Sequence, residues 1–147
     1  MRLKKSLDLL KSISTAGVIL KPSSPELKES YETIEKLFED AGIDTILEYN
    51  SARMIDKEGV ILSKLCEEVD FLVSVGGDGT LLSVVRESFD YDIPILGINL
   101  GTLGFLTDIS MDQLEQFLID LNSKNYRIDN RMMVEGSLNL NSFVAFN

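Results

Sequence analysis

The chain alternates between short unbroken apolar runs and longer stretches in which apolar residues recur every three or four positions. The short runs predict strands buried on both faces, and they lie at 16–20, 43–49, 70–75 and 93–98. The longer stretches have the helical period, and they predict helices over 3–13, 25–41, 56–67, 80–89 and 110–121. This alternation is typical of an α/β fold with an open, mostly parallel sheet flanked by helices.

Local signals mark where these elements begin and end. Ser24 followed by Pro25 predicts an N-cap and a first-turn proline, and Gly42 predicts the stop of the same helix. Ser110 and Gln113 have the spacing of a capping box. We therefore expect the last long helix to begin at this box.

The pattern changes from residue 126 onward. Residues 131–140 and 142–146 resemble two strands joined by a short connection, with no helix between them. We interpret 1–125 as an α/β nucleotide-binding domain and 126–147 as the start of a β-rich second domain. Too little of that second domain is present for it to fold alone. The expected fold class is thus a Rossmann-like sheet followed by the first strands of an incomplete β-rich domain.

Composition excludes several classes of function. A net charge of −10 argues against sequence-independent nucleic-acid binding, and the absence of histidine excludes Ser–His–Asp and Cys–His catalysis within this chain. The single cysteine, Cys66, excludes an intramolecular disulfide and a cysteine-based zinc site, and we interpret it as a small apolar residue on a helix. No apolar run approaches the roughly 20 residues of a membrane span. We expect a cytoplasmic protein that binds neither membrane nor nucleic acid.

The most informative stretch is the first glycine segment, residues 76–80, with the sequence Gly-Gly-Asp-Gly-Thr. It directly follows a predicted buried strand and precedes a predicted helix, so its backbone can approach a bulky polar ligand, and the helix start favours an anion such as phosphate. Asp78 is the one reactive group in this turn. A carboxylate among phosphates is costly unless it accepts a proton or helps to hold a metal. The alternative is a tight turn with a helix-capping aspartate.

Two generic phosphate motifs do not fit this segment. No lysine follows a glycine as a P-loop requires, and Leu82 stands where a dinucleotide-binding fingerprint needs a small third residue. The first glycine segment therefore belongs to neither of these two motifs.

A second glycine segment, residues 97–108, reads Gly-Ile-Asn-Leu-Gly-Thr-Leu-Gly-Phe-Leu-Thr-Asp. The first segment resembles the signature shared by NAD kinases, diacylglycerol and sphingosine kinases and, more distantly, phosphofructokinases. The second resembles the NAD kinase pattern G-x-N-x-G-x-L-G-F-L-T, whereas lipid kinases carry a different sequence there. The 131–133 segment and Asn147 also resemble family segments. The chain is similar to the N-terminal part of an NAD kinase over nearly its whole length.

This resemblance implies transfer of the γ-phosphate of ATP, or of polyphosphate in some members, to the 2′-hydroxyl of the adenosine ribose of NAD, with Mg²⁺ or another divalent cation. It implies that Asp78 is the general base. It further implies a phosphate-binding set of Gly76, Gly77, Gly79 and Thr80, and an NAD-binding set of Asp78, Gly79, Leu82, Leu103, Gly104, Phe105 and Asn147. Phe105 could instead be a core residue, and Asn147 an ordinary strand-end asparagine. The resemblance also implies a homo-oligomer, with much of the NAD site supplied by the second domain.

The chain departs from the family pattern at two positions. Ser83 stands where a basic residue is frequent, and Leu106 stands where many relatives have an aromatic residue. Lys21, after the first strand, is either a phosphate contact or a solvated loop lysine. Two rivals remain beside the NAD kinase hypothesis: a lipid kinase that uses the same Gly-Gly-Asp-Gly-Thr device, and a nucleotide-binding fragment without catalysis.

Overall fold

The fold is taken from a computed structural model. The structure describes residues 13–102 and 104–128, together with the backbone of 133–138 and 141–146. The predicted helix over 3–13 falls almost wholly outside these residues. Leu103, residues 131 and 132 of the 131–133 segment, and Asn147 also lie outside them. Among the described residues, no helix is long and apolar enough to cross a lipid bilayer.

Five parallel strands form one sheet with the order β2-β1-β3-β4-β5. Helices connect β1 to β2, β2 to β3 and β3 to β4, as the alternation of sequence periods predicts, whereas the second glycine segment connects β4 to β5. In chain order the elements are β1 (Thr15–Leu20), α1 (Lys28–Asp40), β2 (Asp44–Leu47), α2 (Tyr49–Met54), α3 (Leu62–Glu68), β3 (Phe71–Gly76), α4 (Asp78–Ser88), β4 (Ile95–Asn99), β5 (Ile109–Ser110) and α5 (Leu114–Asn122). Two further strands, β6 (Met133–Leu138) and β7 (Asn141–Phe146), form an antiparallel hairpin.

The sheet is covered on both faces, which is why its central strands are unbroken apolar runs. Residues of α1 and α5 pack on one face around Ile34, Phe38 and Leu118. Residues of α3 and α4 pack on the other around Leu65 and Val84. Every residue of β3 and β4 is buried, so these two strands are rigid supports for whatever follows them.

Several predicted boundary signals are confirmed. Gly42 has a φ of +80°, the left-handed conformation expected at a helix stop. Ser110 and Gln113 form both hydrogen bonds of the capping box.

Cys66 lies half-buried on α3, where burial raises the pKa of its thiol to about 11. This cysteine is therefore a packing residue and an unreactive one.

The prediction of one helix over 56–67 is confirmed only in its second half, where α3 lies. The chain instead forms α2 and α3 with a loop between them, because the Glu48 carboxylate accepts hydrogen bonds from the backbone N–H groups of Asn50 and Ser51 and thereby caps α2. Val60 then pairs with Glu48 in an isolated parallel bridge. Ile61, an apolar residue of this loop, is 57% exposed.

Two smaller expectations also need correction. The Ser24 side chain does not cap the helix that follows it; its hydroxyl donates to the Pro22 carbonyl, and a 3₁₀ turn at Pro25–Leu27 precedes α1. The two-residue strand β5 was not expected, because residues 109 and 110 carry no strand pattern of their own. It forms by pairing with Ile98 and Asn99 of β4.

The strand order reverses between β1 and β3: the chain goes from β1 outward to β2, then returns to the other side of β1. In open parallel sheets, ligands bind at the carboxyl ends of the strands beside such a reversal. Lys21 follows β1 and Gly77 follows β3, so the first glycine segment stands at this position.

Candidate functional site

The Asp78 carboxylate is held by the second glycine segment. It is the first residue of α4. Its Oδ2 accepts a hydrogen bond from the backbone N–H of Phe105 at 2.9 Å, and its Oδ1 accepts from those of Leu106 and Thr107 at 3.1 and 3.3 Å. Three backbone donors fix the orientation of this carboxylate and join two segments that lie 27 to 29 residues apart. The reading of Asp78 as a simple helix cap has no support, since no side-chain cap bond occurs at this helix start.

Gly104 is required by this arrangement. A methyl group on its Cα would lie 2.6 Å from both Cγ and Oδ2 of Asp78, and would also collide with Oδ1. A glycine at this position lets the loop backbone wrap around the carboxylate. The φ of Gly104 is not positive, so the lack of room for a Cβ beside Asp78 is what requires a glycine here.

Gly76 is also explained by packing within the protein. A Cβ there would lie 2.5 Å from Oγ1 of Thr80 and 3.2 Å from Cβ of Lys21. The Gly76 carbonyl accepts a hydrogen bond from the backbone N–H of Leu100 at 2.8 Å. This hydrogen bond is a further connection between the two glycine segments, in addition to the contacts of Asp78.

Gly77 and Gly79 are different, because no residue that the structure describes explains them. A Cβ on either would have no heavy atom of the described residues within 4 Å, and neither has a positive φ. Gly101 in the second segment has the same open surroundings. An alanine would fit all three positions against the described part of the chain, so these glycines mark a surface that a ligand can approach at the level of the backbone.

Asn99 and Thr107 hold the second segment in shape, and sequence reasoning assigned neither a role. Asn99 is 3% exposed. Its side-chain amide donates to the Thr102 carbonyl and to Oγ1 of Thr107, and its Oδ1 accepts from the backbone N–H of Gly101. Since the Thr107 N–H contacts Asp78, the Asn99 side chain is one residue removed from the carboxylate. The sequence signal that could have indicated this role is a polar residue, Asn99, at the end of an apolar strand.

Asp108 closes the base of the same loop. Its Oδ2 accepts a hydrogen bond from the Gly97 N–H at 2.7 Å, and its own N–H donates to the Gly97 carbonyl at 2.8 Å. These two hydrogen bonds fix the distance between the point where the loop leaves β4 and the point where it enters β5.

The other predicted site residues are distributed around this centre. Phe105 is 101% exposed, so its ring lies outside the core of the sheet. Thr80 is buried beneath Gly76, and Leu82 is half-buried on α4. Leu103 and Asn147 lie outside the described residues.

Two cavities adjoin the first glycine segment at the carboxyl edge of the sheet. One, of about 370 Å³, is lined by residues that include Lys21, Gly76, Gly77 and Gly101. The other, of about 400 Å³, lies between α2 and α4 beyond the end of β1. Both volumes fall within the roughly 300–1,000 Å³ of small-molecule sites.

The described residues offer no resident metal site. They contain no group of three or more His, Cys, Asp or Glu side chains that could hold an ion. A divalent cation bound here would need ligands from elsewhere, such as the phosphates of a nucleotide.

Comparison with known proteins identifies the family. The family model described as the ATP-NAD kinase N-terminal domain matches residues 13–126, a range that contains both glycine segments. This chain belongs to the ATP-NAD kinase family. Nothing in the comparisons supports the lipid kinase alternative.

Two bacterial members of the ATP-NAD kinase family show high similarity. The chain is 52% identical to the NAD kinase of Sulfurimonas denitrificans over 128 residues, 87% of this chain and 45% of that protein. It is 51% identical to the NAD kinase of Wolinella succinogenes over 142 residues, 94% of this chain and 49% of that protein. The chain therefore spans about half the length of these relatives.

Solved structures of NAD and NADH kinases share the fold. Yeast NADH kinase, solved in complex with NADH, matches 92% of this chain and 47% of its own with a TM-score of 0.68 and 20% identity. The NAD kinase of Archaeoglobus fulgidus, solved with ATP, matches 82% of this chain and 40% of its own with a TM-score of 0.52 and 24% identity. The expected α/β fold is thus confirmed.

Proposed function

We propose that this chain is the N-terminal part of an NAD kinase, which transfers the γ-phosphate of ATP to the 2′-hydroxyl of the adenosine ribose of NAD and so makes NADP. The observation that carries the proposal is the Asp78 carboxylate, held by three backbone N–H groups beside glycines whose Cα atoms face open space. Family membership supports the same reaction.

Asp78 acts as the general base in this proposal. A ribose hydroxyl is a poor nucleophile, and a carboxylate that accepts its proton increases the rate. A carboxylate has about four lone-pair sites, and the loop N–H groups use two on Oδ1 and one on Oδ2. The remaining site on Oδ2 would accept the hydrogen bond from the substrate hydroxyl.

The surrounding glycines serve the rest of the transfer. Phosphoryl transfer depends on alignment and on neutralisation of charge, and the open backbone at Gly77 and Gly79 supports close approach of phosphates. We assign phosphate binding to Gly76, Gly77, Gly79 and Thr80. We assign NAD binding to Asp78, Gly79, Leu82, Gly104 and Phe105, and by the family resemblance also to Leu103 and Asn147.

Mg²⁺ would accompany the nucleotide. Mg²⁺ retains several waters and binds through one or two carboxylates plus substrate phosphates, which agrees with the lack of a multi-carboxylate cluster among the described residues. The phosphates of the nucleotide would therefore supply its ligands, since the acceptor sites of Asp78 are taken by the loop N–H groups and the substrate hydroxyl. The ion would neutralise phosphate charge.

The partners in this proposal are NAD and ATP, with polyphosphate as a possible donor. The yeast neighbour was solved with NADH and the archaeal one with ATP, which supports both ligand classes. We further propose that 126–147 opens a β-rich second domain that completes the NAD site, and that the complete protein is a homo-oligomer. The antiparallel hairpin of β6 and β7 supports the first of these two points.

The test is NADP formation from NAD and Mg-ATP. It compares this chain with the long form, meaning the reading frame carried to its natural stop, and uses Asp78→Asn as the variant. Asn keeps the shape and one acceptor oxygen but removes the proton acceptor, so we expect a fall in kcat of roughly 100-fold or more. NADP formation that survives Asp78→Asn would overturn the role of the base.

The same assay separates the rival functions. Diacylglycerol is offered in parallel, and phosphorylation of the lipid would contradict the NAD kinase proposal. NAD binding without turnover by both forms would support a non-catalytic nucleotide-binding protein instead.

A further inference from the structure

The Glu48 carboxylate has no role in the reaction described so far, although it is buried and ionisable. Glu48 is 8% exposed and directly follows β2. Its Oε2 accepts a hydrogen bond from the backbone N–H of Asn50 at 2.7 Å, and its Oε1 accepts from the N–H and the hydroxyl of Ser51 at 3.1 and 3.0 Å. Burial of a carboxylate is costly, and these hydrogen bonds offset that cost.

The Ser51 hydroxyl connects this carboxylate to the end of β1. Its Oγ accepts a hydrogen bond from the backbone N–H of Leu20 at 2.9 Å and donates to Oε1 of Glu48. Because an ionised carboxylate only accepts hydrogen bonds, the hydroxyl hydrogen is directed to Glu48 and a lone pair is left for Leu20. The three groups form a directed chain of hydrogen bonds from Leu20 through Ser51 to Glu48.

This hydrogen-bonded chain goes beyond what capping of α2 requires. The cap consists of the two bonds from the backbone N–H groups of Asn50 and Ser51. The bond from the Ser51 hydroxyl and the bond from the Leu20 N–H lie outside the helix ladder. The additional pair of bonds therefore indicates a role for Glu48 at the end of the neighbouring strand.

The end of β1 is held from two sides. Leu20 is the last residue of β1, and Lys21 follows it. The Lys21 N–H donates to the Val75 carbonyl of β3 at 2.9 Å, while the Leu20 N–H donates to Ser51 of α2. Hydrogen bonds thus restrain two consecutive peptide groups directly before the Lys21 side chain.

Lys21 lies beside the first glycine segment. Its Cβ is 3.2 Å from the position that a Cβ on Gly76 would occupy, and it lines the cavity of about 370 Å³ together with Gly77 and Gly101. It is the one cationic side chain that the described residues contribute to either cavity at this edge. A cation beside open backbone is a favourable place for a phosphate group. Since a lysine ammonium is carried on a flexible stem, the position of its backbone decides which phosphate it can reach.

From these contacts we propose that Glu48 is a positioning residue for the reaction. It acts through the Ser51 hydroxyl on the end of β1, and so places the Lys21 ammonium against a phosphate group of the substrates. Glu48 and Ser51 themselves touch no substrate in this role. The proposal rests on the NAD kinase function argued above and extends it by naming the residues that hold a phosphate-binding cation in place.

The test uses Glu48→Gln, Ser51→Ala, Ser51→Thr and Lys21→Met in the long form. Gln keeps the size of Glu but has one acceptor oxygen, so it cannot replace both Oε1 and Oε2. Ala removes the hydroxyl at position 51, and Thr retains it. Initial rates give kcat/KM separately for ATP and for NAD, which identifies the substrate whose phosphate meets Lys21. Thermal unfolding shows whether each variant is folded.

The matched control is Arg53→Gly. Arg53 is exposed on α2 and takes no part in the hydrogen-bonded chain. Glycine in its place weakens the helix, so the melting temperature falls without loss of the Ser51 or Glu48 contacts. We expect kcat/KM to stay within about twofold of the wild type for both substrates. This variant separates loss of stability from loss of positioning.

We expect Lys21→Met to lower kcat/KM for at least one substrate about tenfold or more, because a hydrogen bond with a charged group contributes this much. Glu48→Gln and Ser51→Ala lower the same constant about fivefold, the equivalent of one lost hydrogen bond. Ser51→Thr stays within about twofold of the wild type.

The deciding measurement is the double variant that combines Ser51→Ala with Lys21→Met. If Ser51 acts through Lys21, loss of the hydroxyl changes kcat/KM by less than about twofold once the ammonium is absent. A further fall as large as in the wild-type background would overturn the proposal. Equal activity of Ala and Thr at position 51, or an unchanged kcat/KM in Lys21→Met, would overturn it as well. If Glu48→Gln fails to fold, the Ser51 variants break the same chain and decide.

These outcomes are distinct from failure of the proposed function. If the wild-type long form makes no NADP, the NAD kinase proposal fails before any variant is compared. If it makes NADP and folded Ser51→Ala has the kcat/KM of the wild type, only the positioning role is wrong.

Discussion

The two glycine segments contain three glycines each, and two glycines of each segment relate to the rest of the protein in opposite ways; Gly76, which is packed, and Gly101, which is open, are the exceptions. In the first, Gly77 and Gly79 face open space. In the second, Gly97 packs against Leu81 and Thr107, and Gly104 packs against the Asp78 carboxylate. The first segment presents a backbone surface, and the second holds the reactive group of the first in place. Glycine content alone therefore does not distinguish a ligand-facing loop from a supporting one; the atoms around each Cα do.

The sharpest test of this difference is Gly104→Ala. The new Cβ would collide with the Asp78 carboxylate and displace it, and a misplacement of about 1 Å costs roughly 100-fold in rate. We expect kcat for NADP formation in the long form to fall by about this factor. A crystal structure or the hydrogen exchange of the 105–107 amides in the ligand-free variant would show the displaced loop. An Asp78 position and rate equal to the wild type would contradict the supporting role of the second segment.

Gly77→Ala should act in a different way. Since its Cβ would meet none of the residues that the structure describes, we expect the melting temperature and the ligand-free loop to be unchanged. The methyl group would hinder only the ligand, and we expect the KM of at least one substrate to rise about tenfold. A variant that is destabilised without any change in substrate binding would remove the distinction between the segments.

Thr107→Val and Thr107→Ser form a matched pair for the support of the loop. Val keeps the shape of Thr but cannot accept the hydrogen bond from the Asn99 amide, whereas Ser retains the hydroxyl. One lost hydrogen bond is worth about 1 kcal/mol, so we expect roughly a fivefold fall in kcat for Val and recovery of most activity with Ser. If Val and Ser behave alike, the hydroxyl has no part in positioning Asp78.

Phe105→Ala should have the smallest effect on stability. Its ring is fully exposed, so we expect the free energy of unfolding to change by less than about 0.5 kcal/mol. A ring that binds the adenosine part of NAD would contribute about 0.5–1.5 kcal/mol, which is a few-fold rise in KM for NAD. A large loss of stability with no change in this constant would identify the ring as structural.

The fold was largely predictable because strand and helix periods are local properties. The apolar runs that form β1, β3 and β4 are buried on both faces of the sheet, and their nearly continuous apolar composition indicates this burial. The α2 region was not predictable, because α2 depends on the Glu48 carboxylate turning back to cap a six-residue helix. A glutamate after a strand carries no such information by itself.

The site was predictable in its residues but not in its contacts. The motif pointed to Asp78, yet nothing in the linear pattern indicated that the loop amides of Phe105, Leu106 and Thr107 would hold it. The roles of Asn99 and Thr107 arise only when β4 and β5 pair and close the loop between them. Hydrogen bonds between distant segments follow from this closure, and sequence spacing does not encode them.

The bridge between Glu48 and Val60 has a consequence at the border of the sheet. β2 is an outer strand, and an outer strand offers unpaired backbone groups on which another chain can add a strand. Here the Val60 N–H donates to the Leu47 carbonyl, and the Tyr49 N–H donates to the Val60 carbonyl. The loop after α2 thus occupies the carboxyl end of this border. Any strand-by-strand growth on that side would have to begin at Asp44–Ile46, beyond the reach of the bridge.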